Sequence, residues 1–108
     1  MFSKTITYQL PAKVQLQSIM INHGDTTTSN ANITVTVTLT SGSGDPKQYM
    51  ISENELFIGS VWEAYTSPSI LYTFTNINTA GTKTVFLKLK NISGESNVVS
   101  DQIEYTIY

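Results

Sequence analysis

The sequence predicts an all-β fold in which about seven short antiparallel strands form two packed sheets. Three observations carry this prediction. Two segments alternate between aliphatic and polar side chains, turn-forming residues separate the apolar runs, and charged residues make up only 13% of the 108 residues. Thr, Ser and Asn replace the missing charge. This composition suits pleated strands better than long solvated helices, which usually carry many charged residues on the exposed face.

The strongest strand prediction covers Asn32 to Thr40, followed by Lys83 to Lys90. A period of two places alternate side chains on opposite faces of a strand. The first strand therefore turns one aliphatic face inward and four threonines outward, and the second turns Val85, Leu87 and Leu89 inward. One buried face and one solvated face are typical of antiparallel sheets. Phe86 falls on the solvated face, as a cross-strand contact or as part of an exposed patch.

Four weaker strands are predicted from shorter patterns: Leu16 to Asn22, Gln48 to Ser52, Leu71 to Thr75 and Val98 to Tyr108. In the second of these, Tyr49 and Ile51 share one face and Met50 lies on the other. Turn signals separate the strands at Asn22-His23-Gly24-Asp25, Ser41-Gly42-Ser43-Gly44-Asp45-Pro46, Ser67-Pro68, Thr79-Ala80-Gly81 and Ser93-Gly94. We expect the core to contain Ile33, Val35, Val37, Leu39, Met50 or Ile51, Trp62, Phe74, Val85, Leu87, Leu89 and Ile103.

The first twelve residues form an N-terminal strand or linker, and residues 13–108 form the domain. The segment Ser3 to Leu10 resembles Ser100 to Ile107, because Ser, Ile and Tyr coincide at an offset of 97 residues. Three interpretations stay open. The likeness is chance, or the segment closes a preceding repeat and Pro11-Ala12 is a stiff joint, or the segment pairs with the sheet edge of a neighbouring chain.

Composition excludes several partners. The net charge of −2 provides no basic stripe, so we expect no nucleic-acid binding. No apolar run approaches the ~20 residues of a membrane span, and the residues after Met1 lack the apolar core of a signal peptide. The absence of cysteine does not identify a cellular compartment.

No residue pattern predicts an enzyme, a metal site or a cofactor. His23 is the only histidine and lies in a turn without a nucleophile motif, so we expect it to be solvated. Glu53, Glu55 and Glu63 are expected to be solvated charges, since a domain this small offers no evident cleft to hold a catalytic pair. The sequences Asn32-Ile33-Thr34 and Asn91-Ile92-Ser93 fit the glycosylation pattern, which chance produces easily in this composition.

A series of short motifs follows in a fixed order: Ile51-Ser52-Glu53-Asn54, Phe57, Trp62-Glu63-Ala64-Tyr65, Gly81-Thr82-Lys83-Thr84-Val85-Phe86 and Asn91-Ile92-Ser93-Gly94-Glu95-Ser96-Asn97. In order and spacing they resemble a bacterial immunoglobulin-like repeat family of secreted and surface proteins. The resemblance implies an immunoglobulin-like β-sandwich with an architectural role, outside the cell. It supplies no catalytic residues. Family members often carry Asp and Gly-Asn where this chain has Asn91 and Gly94-Glu95, which weakens any calcium-site interpretation.

Aromatic residues are the candidates for ligand binding. Trp62 is interpreted first as a core or rim aromatic and second as a sugar-stacking surface. Tyr65, Tyr72 and Phe86 are the other principal candidates, with Tyr105 and Tyr108 behind them.

Three function classes compete. The first is a non-catalytic spacer, adhesion or interaction module of a secreted or cell-surface protein, with a protein or polysaccharide partner, tandem neighbours or edge-strand self-association. The second is a carbohydrate-binding accessory domain. The third is a small phage decoration or tail protein, located in the virion.

Overall fold

The computed structural model describes residues 10–107, which form two β-sheets packed face to face. A single turn of 3₁₀-helix, Asn22–Gly24, is the only helical element in this range. The strands in the described range are β1 Leu16–Ile21, β2 Thr27–Thr28, β3 Asn32–Leu39, β4 Gln48–Ser52, β5 Glu63–Ala64, β6 Ser69–Thr73, β7 Gly81–Asn91, β8 Gly94–Glu95 and β9 Val99–Tyr105. The predicted all-β sandwich is confirmed.

The smaller sheet has the strand order β1-β3-β6, with antiparallel pairing throughout. β3 is the central strand, and its alternation decides which face is buried. Ile33, Val35 and Val37 point inward and are almost fully buried, as the sequence predicts. The threonines between them lie on the outer face of the sheet.

The larger sheet has the order β2-β9-β7-β4-β5, and β8 pairs with β7. β7 is the longest strand, with 11 residues. Val85, Leu87 and Leu89 all have no exposed surface, because they point between the two sheets. Every pair in this sheet is antiparallel except the two-residue contact between β2 and β9, which is parallel.

The buried cluster between the sheets matches most of the predicted core. Leu39 and Ile51 pack against it but are only partly buried. Met50 is buried on the opposite face of β4. Of the two alternatives predicted for the core, Ile51 therefore faces the space between the sheets and Met50 faces away from it. The prediction that Trp62 belongs to the core is wrong, because Trp62 is half-buried on the outer face of the larger sheet, against lysines that alternate with Leu87 and Leu89.

The bounds of β1, β3 and β7 differ from the sequence prediction by one or two residues, and those of β6 and β9 differ by up to three. β6 begins at Ser69 and ends at Thr73, two residues earlier than expected, because the register with β3 pairs Ser69 with Thr36. β9 ends at Tyr105, which leaves Ile107 beyond the strand and 47% exposed. The expected strand before Leu10 lies outside the described residues.

The chain enters the sandwich at one end and leaves it at the other. At the entry end, Gly44 N–H donates to the carbonyl of Lys13 (2.9 Å), and Asn91 Nδ2 donates to the carbonyl of Ala12 (2.7 Å). Asn91 is the last residue of β7. The first residue of β7, Gly81, pairs with Tyr105 near the exit of the chain. The whole length of β7, about 33 Å, therefore separates entry from exit.

Side chains from the β8–β9 connection and from β9 close the outer edge of β1. Asn97 accepts a hydrogen bond from Leu16 N–H (2.9 Å) through Oδ1 and donates one to the Leu16 carbonyl (2.9 Å) through Nδ2. Asp101 Oδ2 accepts from Ile21 N–H (2.9 Å). We call these contacts the β1–β9 seam. The seam links the first strand to the last and occupies backbone groups that would otherwise be unpaired.

The core makes a direct prediction about leucines. Leu87→Ala should lower the free energy of unfolding by about 2–5 kcal/mol, because it leaves a cavity at a site with no exposed surface. Leu71 is 80% exposed, so Leu71→Ala should change that free energy by less than about 0.5 kcal/mol. Denaturant unfolding of both variants measures the difference, and equal effects would contradict the proposed packing.

Candidate functional site

The loop between β4 and β5 lies against the outer face of the larger sheet. Within it, Phe57 N–H donates to the carbonyl of Asn54 (2.9 Å), and Ser60 N–H donates to the carbonyl of Phe57 (3.1 Å). Ser60 Oγ donates to the Ile51 carbonyl (3.2 Å), which ties the loop to β4. Phe57 has φ = 56° yet is only 7% exposed. A left-handed backbone at a non-glycine residue costs on the order of 1–2 kcal/mol, which burial of the ring offsets.

Two aromatic rings of this loop lie against two lysines of β7. Lys88 Nζ lies 4.8 Å from the ring centroid of Phe57 and 5.4 Å from that of Trp62. Lys90 Nζ lies 4.3 Å from the Trp62 ring. Lys88 also forms an ion pair with Glu95 (3.0 Å). We call Phe57, Trp62, Lys88 and Lys90 the outer-face cluster. Cation–π contacts of this kind contribute about 0.5–1 kcal/mol each at exposed positions.

The same loop exposes three aliphatic side chains. Leu56 is 74% exposed, Ile58 is 70% exposed and Val61 is 68% exposed. Such a concentration of apolar surface on one loop is typical of a contact site for a partner. These residues could not be predicted from the sequence, because their pattern has neither the strand nor the helix period.

A groove separates this loop from the free edge of β6. It is lined by residues of β4, the loop and β6, among them Ile51, Ile58 and Tyr72. Glu53 lies in the groove, and its Oε2 accepts hydrogen bonds from the Tyr72 hydroxyl (2.9 Å), Thr75 N–H (2.8 Å) and Thr75 Oγ1 (3.0 Å). Glu53 is therefore a structural acceptor at the end of β6 and not the freely solvated charge that the sequence predicts.

The surroundings raise the hydroxyl pKa of three tyrosines, Tyr49, Tyr65 and Tyr72, of which the last two are ligand-binding candidates. Burial, followed by the hydrogen bond to Glu53, raises the pKa of Tyr72 well above its ordinary value of 10.0. Burial also raises the pKa of Tyr65, whose N–H donates to the carbonyl of Lys47 (3.0 Å). Both rings pack against the core cluster.

The structure divides the four predicted ligand-binding aromatics between two places. Trp62 and Phe86 lie on the outer face of the larger sheet, where Phe86 is paired between Ser52 and Ser100. Tyr65 and Tyr72 face the core. The four therefore do not form one continuous surface. Their role in binding a ligand stays a prediction, which now concerns two separate surfaces.

The other aromatic candidate in the described range is also accounted for. Tyr105 is 6% exposed and donates its hydroxyl to the carbonyl of Ile77 (2.8 Å), so its ring is inaccessible to a ligand. Tyr108 lies outside the described residues.

The polar candidates His23, Glu55 and Glu63 are all exposed to solvent. His23 is exposed in the 3₁₀ turn, with φ = 58°, and Glu55 and Glu63 are exposed as expected. Among residues 10–107, no group of three His, Asp or Glu side chains is placed to hold a metal ion.

The two glycosylation patterns have different structural contexts. Asn91 is buried, and its amide donates to the carbonyl of Ala12 and accepts from Ser93 N–H, so it is unavailable to a glycan in the folded chain. Asn32 is exposed, and its Oδ1 accepts from Thr73 Oγ1 (2.6 Å). Within the described range, no helix combines the length and apolar character that crossing a bilayer would need.

Comparison with known proteins identifies the fold through structure alone. No family model matches the sequence, and no curated protein matches it. The PKD1 domain from Vibrio cholerae metalloprotease PrtV superimposes with a TM-score of 0.55 at 15% identity, covering 85% of this chain and 95% of that domain. The PKD domain of an M14-like peptidase from Thermoplasmatales archaeon SCGC AB-540-F20 gives 0.53 at 19% identity, covering 89% and 98%. The PKD1 domain of Vibrio anguillarum Epp gives 0.51 at 16%, covering 86% and 99%.

These similarities, together with the two-sheet architecture, show that the fold is an immunoglobulin-like β-sandwich. At such low identity they are evidence about fold only. The resemblance inferred from the sequence motifs is thus confirmed at the level of an immunoglobulin-like domain, and not for one repeat family.

The hydrogen bond between Tyr72 and Glu53 predicts a pH dependence. Because the pKa of Tyr72 is raised in the folded state, the unfolded chain loses this proton first as the pH rises. The contribution is fully present below about pH 10 and decreases as the pH rises further. Tyr72→Phe should therefore flatten the alkaline fall in the free energy of unfolding. Tyr49 and Tyr65, whose pKa values are also raised, should retain part of the slope.

Denaturant unfolding across the alkaline range measures this slope for both proteins. An identical slope in the wild type and in Tyr72→Phe would contradict the proposed environment of the hydroxyl.

Proposed function

We propose that this chain is a non-catalytic immunoglobulin-like module that serves as a spacer and interaction domain within a larger extracellular protein. The observation that carries the proposal is the placement of entry and exit at opposite ends of the sandwich. A module built this way adds its full length to a chain of domains. A module with adjacent ends would protrude to the side instead.

The entry segment is held rigidly, as a spacer requires. Three successive carbonyls, those of Pro11, Ala12 and Lys13, accept hydrogen bonds from Ser93 Oγ, Asn91 Nδ2 and Gly44 N–H. Gly44 permits this approach, since a Cβ at that position would collide with the Ala12 carbonyl. The joint to a preceding segment is therefore fixed relative to the sandwich.

The strand arrangement also suits a module under tension. Pulling on the two chain ends draws β1 and β9 along their own axes in opposite directions. The β1–β3 and β7–β9 ladders are then loaded in shear, so that their hydrogen bonds must break together. The β1–β9 seam adds a direct link between the two loaded strands.

The structural relatives support an accessory role. All three are PKD domains, and two belong to peptidases. Their likeness to this chain, together with the scattered placement of its polar candidates, supports a module that assists other domains. It also supports the proposed extracellular location.

The spacer proposal predicts a mechanical role for the seam. Asn97→Ala removes both bonds to Leu16, so it should lower the force needed to unfold the module and the free energy of unfolding by about 1–3 kcal/mol. Gln102→Ala, an exposed position on β9, is the matched control and should change neither. Single-molecule force spectroscopy on a polyprotein measures the force. An unfolding force no higher than that of a peeled hairpin would contradict the proposal.

A second candidate, polysaccharide binding, is favoured by one observation. Trp62 and Phe86 share the outer face of the larger sheet with Lys88 and Lys90. Aromatic faces stack on sugar rings, and the adjacent ammonium groups suit hydroxyl-rich or acidic sugars.

Titration with a panel of neutral and acidic polysaccharides tests this candidate. Trp62 is the only tryptophan, so its fluorescence reports the site directly. A binding sugar should change the emission saturably, and calorimetry should show roughly tenfold weaker binding for Trp62→Ala. Tyr65→Phe, on the core side, should bind normally. No response to any member of the panel would remove this candidate.

A further inference from the structure

β6 is the one long strand in the described part of the chain with an unprotected edge. The outer strands β2 and β5 of the larger sheet have two residues each, and the seam covers part of the outer edge of β1. By contrast, Ser69–Thr73 contains neither a charged residue nor a proline. Natural proteins usually block a sheet edge by one of these devices, because a free edge is a template for pairing with another chain.

The register shows which backbone groups are free. Phe74 N–H donates to the Ala31 carbonyl and Val37 N–H to the Pro68 carbonyl, so the even-numbered residues of β6 bond to β3. The backbone N–H and C=O groups of the odd-numbered residues therefore point away from β3, toward the open edge of the sheet. Thr75 N–H, also outward, is bound by Glu53. The N–H and C=O groups of Leu71 and Thr73 face the open edge, and the side chain of Leu71 is 80% exposed.

The groove beside this edge would receive the side chains of an added strand. An added strand lies about 4.8 Å from β6, and its inward residues would reach the row formed by Ile70 and Tyr72. Ile51 and Ile58 line the same groove from the other side. The edge therefore fits an extended segment that is apolar on one face and polar on the other.

We infer that residues 3–10 of one copy of this chain add as an antiparallel strand to the β6 edge of a second copy. The segment Ser3 to Leu10 alternates in the required way, with Ile6 and Tyr8 on one face and Thr5 and Thr7 on the other. Nine residues precede the described range, enough for such a strand. This inference is independent of the spacer proposal.

One register satisfies every requirement. With Thr7 opposite Leu71 and Thr5 opposite Thr73, the four free backbone groups of β6 are all paired. Ile6 then lies beside Tyr72 and Tyr8 beside Ile70, both over the groove. Lys4 falls opposite Phe74, close to Glu53, which contacts the next residue, Thr75.

The charges of the segment and of the groove also favour residues 3–10 as the added strand. The donor segment carries Lys4 and no acidic residue, while the acceptor groove has Glu53 within it and Glu55 on the adjoining loop. Association should therefore weaken as salt rises, since these charges are near solvent.

Cross-linking between two single-cysteine proteins tests the register and the partner together. The chain has no cysteine, so Thr7→Cys and Leu71→Cys can be prepared separately and mixed under mild oxidation. Residues of a hydrogen-bonded antiparallel pair lie about 5.5 Å apart at Cα, within reach of a disulfide. We expect a mixed disulfide dimer. Gln9→Cys mixed with Leu71→Cys is the control, displaced by two residues, and should cross-link far less.

Sedimentation at increasing concentration tests the unmodified interaction. The full chain should associate reversibly, and a chain beginning at Leu10 should stay monomeric. Leu71→Pro removes one outward N–H without touching the β3 ladder and should weaken association roughly tenfold or more, whereas Leu71→Thr should not. Ile6→Asp should abolish association, and its neighbour Thr7→Asp, on the opposite face, should not. If Leu71→Pro fails to fold, the comparison of Ile6→Asp with Thr7→Asp still tests the inference.

Hydrogen exchange distinguishes pairing with a second copy from pairing of the segment with β6 of its own chain. The amides of Leu71 and Thr73 should become protected as concentration rises. Protection at all concentrations in a monomer would show that the segment pairs within its own chain, which overturns the inference. A full chain that stays monomeric, or association that survives removal of residues 1–9, overturns it equally.

Discussion

The packing of β3 against β7 across the dry space between the sheets is the interaction on which the rest of the structure depends. Ile33, Val35 and Val37 of β3 belong to one buried cluster with Val85, Leu87 and Leu89 of β7, and the last three have no exposed surface. Burial of aliphatic side chains supplies most of the favourable free energy of folding in a small domain that has no cysteine to form disulfides. Once these two strands are fixed, the length of β7 determines how far apart the chain ends lie.

The two lateral sides of the sandwich differ in how their edge strands are covered. On one side, Asn97 and Asp101 join β1 to the segment before β9 and to β9 itself, so the sheets are closed by polar bonds. On the other side, β6 ends its sheet without a neighbour, and the β4–β5 loop stands across a groove from it. In the functions proposed above, the first side bears load and the second binds a neighbouring copy.

Sequence periodicity predicted the strands whose side chains alternate strictly, because the period of two alone decides which face is buried. It predicted β3 and β7 to within two residues at each end for this reason. The contacts of Trp62 and Phe57 with Lys88 and Lys90 could not be predicted, since both rings belong to an aperiodic loop and the lysines are distant in sequence. The contacts of Glu53 and Asn97 could not be predicted for a similar reason. Their partners are 19 to 22 residues away for Glu53 and 81 residues away for Asn97, so local patterns hold no trace of them.

The central claim is that the chain passes through the module from end to end. Spin labels on Lys13→Cys and Ile107→Cys test it, because both positions are exposed and the chain has no other cysteine. Pulsed electron–electron double resonance should give one narrow distance distribution centred at about 35 Å, close to the length of β7. A distance below roughly 20 Å, well short of that length, would place the two ends together and contradict the account.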